Sequence, residues 1–471
     1  MFVDTASAAS VTYTYQAAQR YISIANRGNE NLLVSVGNYA DVAIIPGGKW
    51  EQDVTFNSFS IRSLSGIQHF EAQAKQLSRR PSVVDIMDYK HLAVDIDLPT
   101  EDWSAAIQKA VDDVSQKIVS GNYESNIQGK VTFPIRRFKI RKPVLLPPQG
   151  VVIEGESASA IVLDNQYSWN YANVPCTIIE KTTGNTLGAK SRLMRSGAKT
   201  DNMDVDACFI VDHMNNQYNW NTVIKNIAMR YLPAFSRNTY AVFAPRSTHL
   251  HIENVQTYNF AFGFYTNDSW MTTITNFKVR DCISALKYES DGGGGCGTSL
   301  TATNVWANGC EVGFDISTLS YSTFNSCCAE HVKTNTIRAY SFVNCDGISL
   351  NGCGSEDIQG GDVIYMNNSQ VVFNGFKTYS VAGAASGTRS QVNIGNGCNV
   401  IFNACRFWDY NAGVVAASNL IYSILANSNV KFSLCKFPAN AGAAAIGAGS
   451  TVIIEDNAGI TIKNSSTSRT L

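Results

Sequence analysis

Leu350-Asn351-Gly352-Cys353 is one copy of a motif that returns along much of the chain: two apolar residues, two residues apart, around a bend-forming pair. Its relatives are Ile224/Ile227, Ile252/Val255, Ile274/Phe277, Ala302/Val305, Phe324/Cys327, Phe373/Phe376, Phe402/Cys405 and Phe432/Cys435. Counted from the first residue of each, the spacings are 28, 22, 28, 22, 26, 23, 29 and 30. A period of that size marks a solenoid, whose units cannot bury an apolar face alone and must stack. Asparagine stands inside most copies. It takes the third place in the first four (Asn226, Asn254, Asn276, Asn304) and the second place in the next four (Asn325, Asn351, Asn374, Asn403). Asparagine tolerates the backbone of a tight bend, and its amide can bond to the next copy. The change of place argues against one unbroken ladder. Second strands follow the bends, as in Phe262-Gly-Phe-Tyr265, Val312-Gly-Phe-Asp315 and Val363-Ile-Tyr-Met366. Short strands, Asn/Gly bends and loops of variable length read as an all-β protein, a parallel β-helix.

Such an extended core explains how 471 residues can form one body beyond the usual limit for a single core. The formal net charge is −1 and no Lys/Arg run stands out, which argues against nucleic acid and anionic membranes as partners. No segment has the apolar length of a membrane span, so no membrane insertion is expected. The start, MFVDTASAASVTYTYQ, lacks the basic and apolar regions of a secretion signal. Of the 12 cysteines, Cys327, Cys353, Cys405 and Cys435 occupy the second apolar place of their rungs. Cysteine there acts as a small buried hydrophobe, so reduced thiols are expected rather than bridges. Neither zinc spacing nor an Asp triad for calcium is evident, and neither metal nor cofactor is expected.

Along the chain, residues 1–64 read as a small β-domain, with strands at Tyr21-Ile-Ser-Ile24, Asn31–Val36 and Asp41–Ile45. Residues 65–80 read as a helical neck, with Ile67, Phe70, Ala74 and Leu77 at heptad spacing. Residues 81–156 supply a cap and first rungs. Thr100 is expected to cap a helix whose stripe is Trp103, Ile107, Ala110, Val111, Val114 and Ile118, plugging the open end of the coil. The first rungs follow at Lys130, Phe138, Val144 and Val151. Over 157–222 the repeat dissolves into inserted loops rich in Asn, Gly and aromatics, an excursion of the kind that often carries a binding face. Rungs then occupy 223–465, the last a final rung or cap, before a polar tail at 466–471.

This order of parts resembles the bacteriophage tailspikes and tail-fibre depolymerases. The resemblance rests on Glu101-Asp-Trp-Ser-Ala-Ala-Ile-Gln-Lys-Ala-Val111, Gly129-Lys-Val-Thr-Phe-Pro134 and Pro147-Pro-Gln-Gly-Val-Val-Ile-Glu-Gly-Glu156, and on the rungs beginning at Asn304 and Leu350. It covers roughly residues 80 to 460 and is more specific for fold than for chemistry. It implies a right-handed β-helix of the pectate-lyase type, a homotrimer, and attachment of residues 1–64 to other tail or baseplate proteins. It also implies location in the virion tail after synthesis in the host cytoplasm. The implied function is to bind and hydrolyse a bacterial surface polysaccharide, capsule or O-antigen. A non-enzymatic receptor-binding fibre or structural baseplate part, and a polysaccharide lyase, stay open. Two features depart from the family: His91-Leu-Ala-Val-Asp-Ile-Asp97 replaces the usual Asp-Gly-x-x-Asp-Asp lead-in, and no large domain follows the coil.

Glycoside cleavage uses two carboxyl groups at a set separation, about 5–5.5 Å for retention and about 6.5–9.5 Å for inversion. Equivalent positions on neighbouring rungs lie about 4.7–4.9 Å apart. Aligned on the apolar pairs, Tyr258, Arg280, Asn308, Glu330 and Glu356 form one column, with His331 and Asp357 one place on. Glu330 and Glu356 are therefore the leading catalytic pair, with Asp357 beside them and Arg280 and His331 as substrate-binding groups. A solvated polar column would look the same. A second set, Glu289 and Asp315 with Tyr265 and Lys287, lies on the other strands, where Lys287 and Asp315 also read as an ion pair. Trp169, Tyr171, Tyr218, Trp220 and Trp270, interleaved with Asn and Gln, are candidates for stacking on sugar rings or for covering the coil locally.

Overall fold

The computed structural model describes residues 2–6, 9–36, 41–64, 67–76, 83–115, 129–158, 176–182, 190–191, 203–211, 218–289, 297–330, 338–356, 358, 362–380, 390–409, 420–437, 445–456, 459–465 and 467–470. They fall into two units, residues 1–81 and 82–471.

The first unit is a six-stranded antiparallel sheet in the order Phe2–Ala6, Gln68–Gln76, Val11–Asn26, Lys49–Ser63, Leu32–Val36, Val42–Ile44. Alternation drives it. Leu32, Val34 and Val36 point to one face with Ile22, Ile24, Phe59 and Ile61, while the residues between them lie nearer solvent. Tyr13 stacks on Phe59 at 5.0 Å. The expected helical neck is a strand instead. Phe70 and Ala72 are buried with a period of two, and Ile67, a supposed seam position, is 70% exposed. Pairing with Val11–Asn26 satisfies the backbone and overrides the short heptad pattern.

The second unit is the parallel β-helix with a capping helix that the repeat predicts. One face is an eleven-stranded parallel sheet running from Val144–Leu146 to Ala445–Ile446, one strand per turn. The remaining strands close the coil. The apolar pairs stack in register: Ile224 on Ile252, Ile252 on Ile274, Ile274 on Ala302, Ala302 on Phe324, Phe324 on Leu350, and on through Phe373, Phe402 and Phe432. The phenyl rings of Phe373, Phe402 and Phe432 lie nearly parallel at 4.7 and 4.9 Å. Cys327, Cys353 and Cys405 are buried in the neighbouring column, each thiol donating to a backbone carbonyl.

Both ends of the coil are closed. The helix Ser104–Val114 buries Ala106, Ile107, Ala110, Val111 and Val114 behind Trp103, whose ring meets Phe138 edge-on at 5.1 Å. Thr100 does not start it: its hydroxyl donates to Asp95, and Asp102 accepts from the Ser104 amide and hydroxyl instead. Ile118 lies outside the described residues. At the other end, Thr451–Asp456 stacks as a last rung. Gly459–Lys463 then folds back antiparallel, and the supposed tail supplies a third strand, Ser468–Thr470. The antiparallel turn ends the stacking direction and blunts the edge. The excursion at 157–222 also proves to contain coil. Ile178–Lys181 pairs with Arg137–Ile140 and with Ala228–Tyr231, and Asp206–Val211 joins the eleven-stranded sheet. Among the described residues, no helix is long and apolar enough to cross a membrane.

Candidate functional site

Each rung turns a corner inside its apolar-x-x-apolar segment, where the third residue has positive φ, as at Asn276 (52°) and Gly352 (59°). The strand leaving that corner alternates in and out. Outward positions form a column in register: Arg230, Tyr258, Arg280, Asn308, Glu330, Glu356, Tyr379. The alignment from sequence is thus the observed one. Glu330 and Glu356 are direct neighbours across parallel strands, the first half-buried and the second exposed.

Two residues back along each strand, a second outward column runs Lys278, Trp306, Cys328, Gly354, Lys377, Arg406. Together they make a strip in which carboxylates lie between aromatic and cationic groups. Lys377 Nζ sits 4.2 Å from the centre of the Tyr379 ring. The Cys328 thiol lies 3.8 Å from Glu330 Oε1; burial first, then the charges of Glu330 and Glu356, hold it protonated well above its ordinary range. Arg280 is nearly buried, with Nε 3.5 Å from Asp281. Trp306, Lys377 and Tyr379 did not emerge from the sequence reading. The same register arithmetic, moved to the first and third residues after each apolar pair, finds them.

The second carboxylate set lies on the eleven-stranded face, and its members are engaged. Asp315 stacks on Lys287 and accepts from its ammonium at 2.5 Å. Glu289 accepts from the Tyr265 hydroxyl at 2.6 Å. Burial, then Glu289, pushes the Tyr240 phenol up to about 12. Glu289 lies two residues beyond Lys287, so it is not in register with Asp315.

The aromatic set lies on a third stretch, before a separate bend. Trp220 stacks on Thr248 and Thr248 on Trp270. Asp268 fixes this region: its carboxylate accepts from the Tyr218 hydroxyl at 2.7 Å and from the Trp270 indole at 3.1 Å. Burial, then Asp268, pushes the Tyr218 phenol up to about 12. Among the described residues, the expected substrate-binding groups therefore occupy three faces, and Arg280 is the one in the column of the Glu pair, two rungs from Glu330. Asp357, His331, Trp169 and Tyr171 lie outside the described residues.

No protein-family model matches the sequence, and no curated protein matches it. Solved structures do match the fold. The gp42 tailspike of Acinetobacter phage vb_AbaP_AS12 is similar with a TM-score of 0.62 and 17% identity over 84% of this chain and 66% of that one. DFA-IIIase from Arthrobacter chlorophenolicus A6 follows at 0.51 and 10% identity, over 80% and 87%. This chain spans just under two thirds of the tailspike's length. The shared feature is the coil: the chain has the parallel β-helix fold found in a phage tailspike.

Proposed function

We propose that the chain is a bacteriophage tailspike that binds a bacterial surface polysaccharide and hydrolyses it during host adsorption, with Glu330 and Glu356 as the acid and its nucleophile or base. The observation that carries this reading is the register of those two residues on adjacent rungs, flanked by Trp306, Asn308, Lys377 and Tyr379, with Arg280 two rungs from Glu330 in the same column. Carboxyl groups on adjacent rungs lie near the short separation that glycoside cleavage uses. Neighbouring indole and phenol rings supply flat faces for sugars, and the cations and amides supply polar contacts. Glu289 and Asp315 are second in line because Tyr265 and Lys287 already occupy them.

The chain assembles as a homotrimer in the virion tail after synthesis in the host cytoplasm, a compartment that keeps its buried thiols reduced. The antiparallel unit attaches it to other tail or baseplate proteins. Residues 1–64 carry that role in this reading, and the sheet they form also takes in Gln68–Gln76. Light scattering tests the trimer. Removal of the unit is expected to abolish incorporation into particles while polysaccharide recognition persists.

The direct test is incubation of the purified protein with capsule or O-antigen from its host. New reducing ends with no double-bond absorbance in the ultraviolet support hydrolysis. Products that absorb there identify a lyase. Tight binding without products identifies a receptor-binding fibre.

A further inference from the structure

The edge of the coil that carries Trp220 and Trp270 extends further than those two residues. Successive rungs place Trp220, Thr248, Trp270, Thr298 and Ser320 in one parallel column. Directly after each comes a residue with positive φ: Asn221, His249, Met271, Ser299 and Tyr321. The exposed aromatic side chains along this edge recur on alternate rungs: Trp220 at 41% exposed, Trp270 at 40% and Tyr321 at 72%. Alternate rungs are about 9.5 Å apart, twice the interstrand spacing.

Two details separate this edge from ordinary surface. The first is that the two indoles are held in place. Trp270 is tied by its indole N–H to Asp268 and packs on Tyr218 at 4.7 Å, and the Arg246 guanidinium lies 4.3 Å from the Tyr218 ring on the same carboxylate. Asp268 is fully buried and Arg246 is 6% exposed, so the support is rigid. Thr248, on the rung between the indoles, is only 3% exposed. Trp220 packs parallel to His249, whose Nδ1 lies 3.0 Å from the Thr248 hydroxyl. The second detail is the cost of keeping Tyr321 there. A bulky residue at φ 51° is strained, and its largely exposed ring recovers little burial in return.

We propose that this edge is a docking track for an extended polysaccharide, which lies along the coil axis and stacks pyranose faces on Trp220, Trp270 and Tyr321. The occupant is a glycan chain because the rings are flat, recur on alternate rungs (Tyr321 one residue past the column of the two fixed indoles) and are interleaved with hydroxyl and imidazole groups. A protein surface would bury a continuous apolar patch, whereas here Thr248, His249, Thr298 and Ser299 separate the rings, with Met271, 56% exposed, as the exposed aliphatic side chain described among them. The track lies on a different face from Glu330 and Glu356, so it tethers polymer rather than positions the bond to be cut. This inference rests on the polysaccharide reading above.

The test uses the full-length protein carrying Glu330→Gln and Glu356→Gln, so that nothing is cut. The probe is long-chain surface polysaccharide from the bacterium that the particle infects, compared with its single repeating unit. Trp270→Ala with Tyr321→Asn is expected to weaken long-chain binding about tenfold or more and to leave binding of the single unit within about twofold. Asparagine accepts the Tyr321 backbone, so Tyr321→Asn alone decides if Trp270→Ala fails to fold; about threefold weakening by it supports the track. Long-chain affinity equal to the parent's in folded variants overturns the track and leaves the functional reading standing. A parent that binds no polysaccharide overturns both.

Discussion

The coil turns the same corner before and after Asn304, but with different residues. In the earlier rungs one asparagine both adopts positive φ and reaches its neighbour: Asn254 donates to Asn226 at 2.9 Å and Asn304 to Asn276 at 2.7 Å. In the later rungs Ser326, Gly352, Gly375, Ala404 and Leu434 take the positive-φ place. The asparagines, one place earlier at the strand end, form a separate ladder, in which Asn351, Asn374 and Asn403 each donate to the previous copy. The bend and the amide ladder are therefore separable tasks. The bend is the constant one, and any residue that tolerates or endures positive φ can fill it. Glu330 and Glu356 occupy the first two rungs after the change.

That contrast can be broken or sharpened by substitution. The largest effect is expected in the later core: Phe402→Ala opens a cavity between Phe373 and Phe432 and should cost about 3–5 kcal/mol, read from urea midpoints. Next, Asn351→Gly removes two ladder bonds and loosens a strand end, about 2 kcal/mol. Asn254→Gly removes one amide link, to Asn226, at a corner glycine fills without strain, about 1 kcal/mol. Equal losses at the two sites would erase the distinction between the halves. Leu434→Gly should act in the opposite direction. Leu434 is exposed at φ 55°, so glycine there should stabilise the protein by roughly 0.5–1 kcal/mol.

The smallest effect concerns pH, at the first rungs. Burial pulls the Glu154 carboxyl upward, but Lys130 at 2.9 Å and Lys225 at 3.2 Å outweigh it and hold it below its ordinary range. A depressed carboxyl contributes stability that is present above its unfolded value near 4.5 and is lost as pH falls through the lower folded value. Glu154→Gln should therefore flatten the acid limb of the stability curve: it lowers stability slightly at neutral pH and leaves it nearly unchanged below the folded value. An acid limb identical to the parent's would assign no linkage to this pair.

The register of the coil was legible because it needs only a period, and the apolar pairs supply one. The column through Arg280, Asn308, Glu330 and Glu356 follows from it by counting. The helical neck was misread because Ile67, Phe70 and Ala74 fit two periodicities over so short a stretch, and strand partners distant in sequence decided between them. Ile178–Lys181 was missed because it carries no asparagine bend to announce it. The place of the aromatics was not legible because sequence alone does not say on which side of a corner a residue falls. A second bend, at Asn221, His249, Met271 and Tyr321, puts Trp220 and Trp270 on a face of their own.

The central claim is that Glu330 and Glu356 cleave glycan, and it is tested most directly by the rate of reducing-end release for Glu330→Gln and Glu356→Gln. Each substitution keeps side-chain shape and removes the titrating group. A fall of about 10²–10⁴-fold in each, with assembly unchanged, is the predicted result. Release at close to the parent rate by both would contradict it.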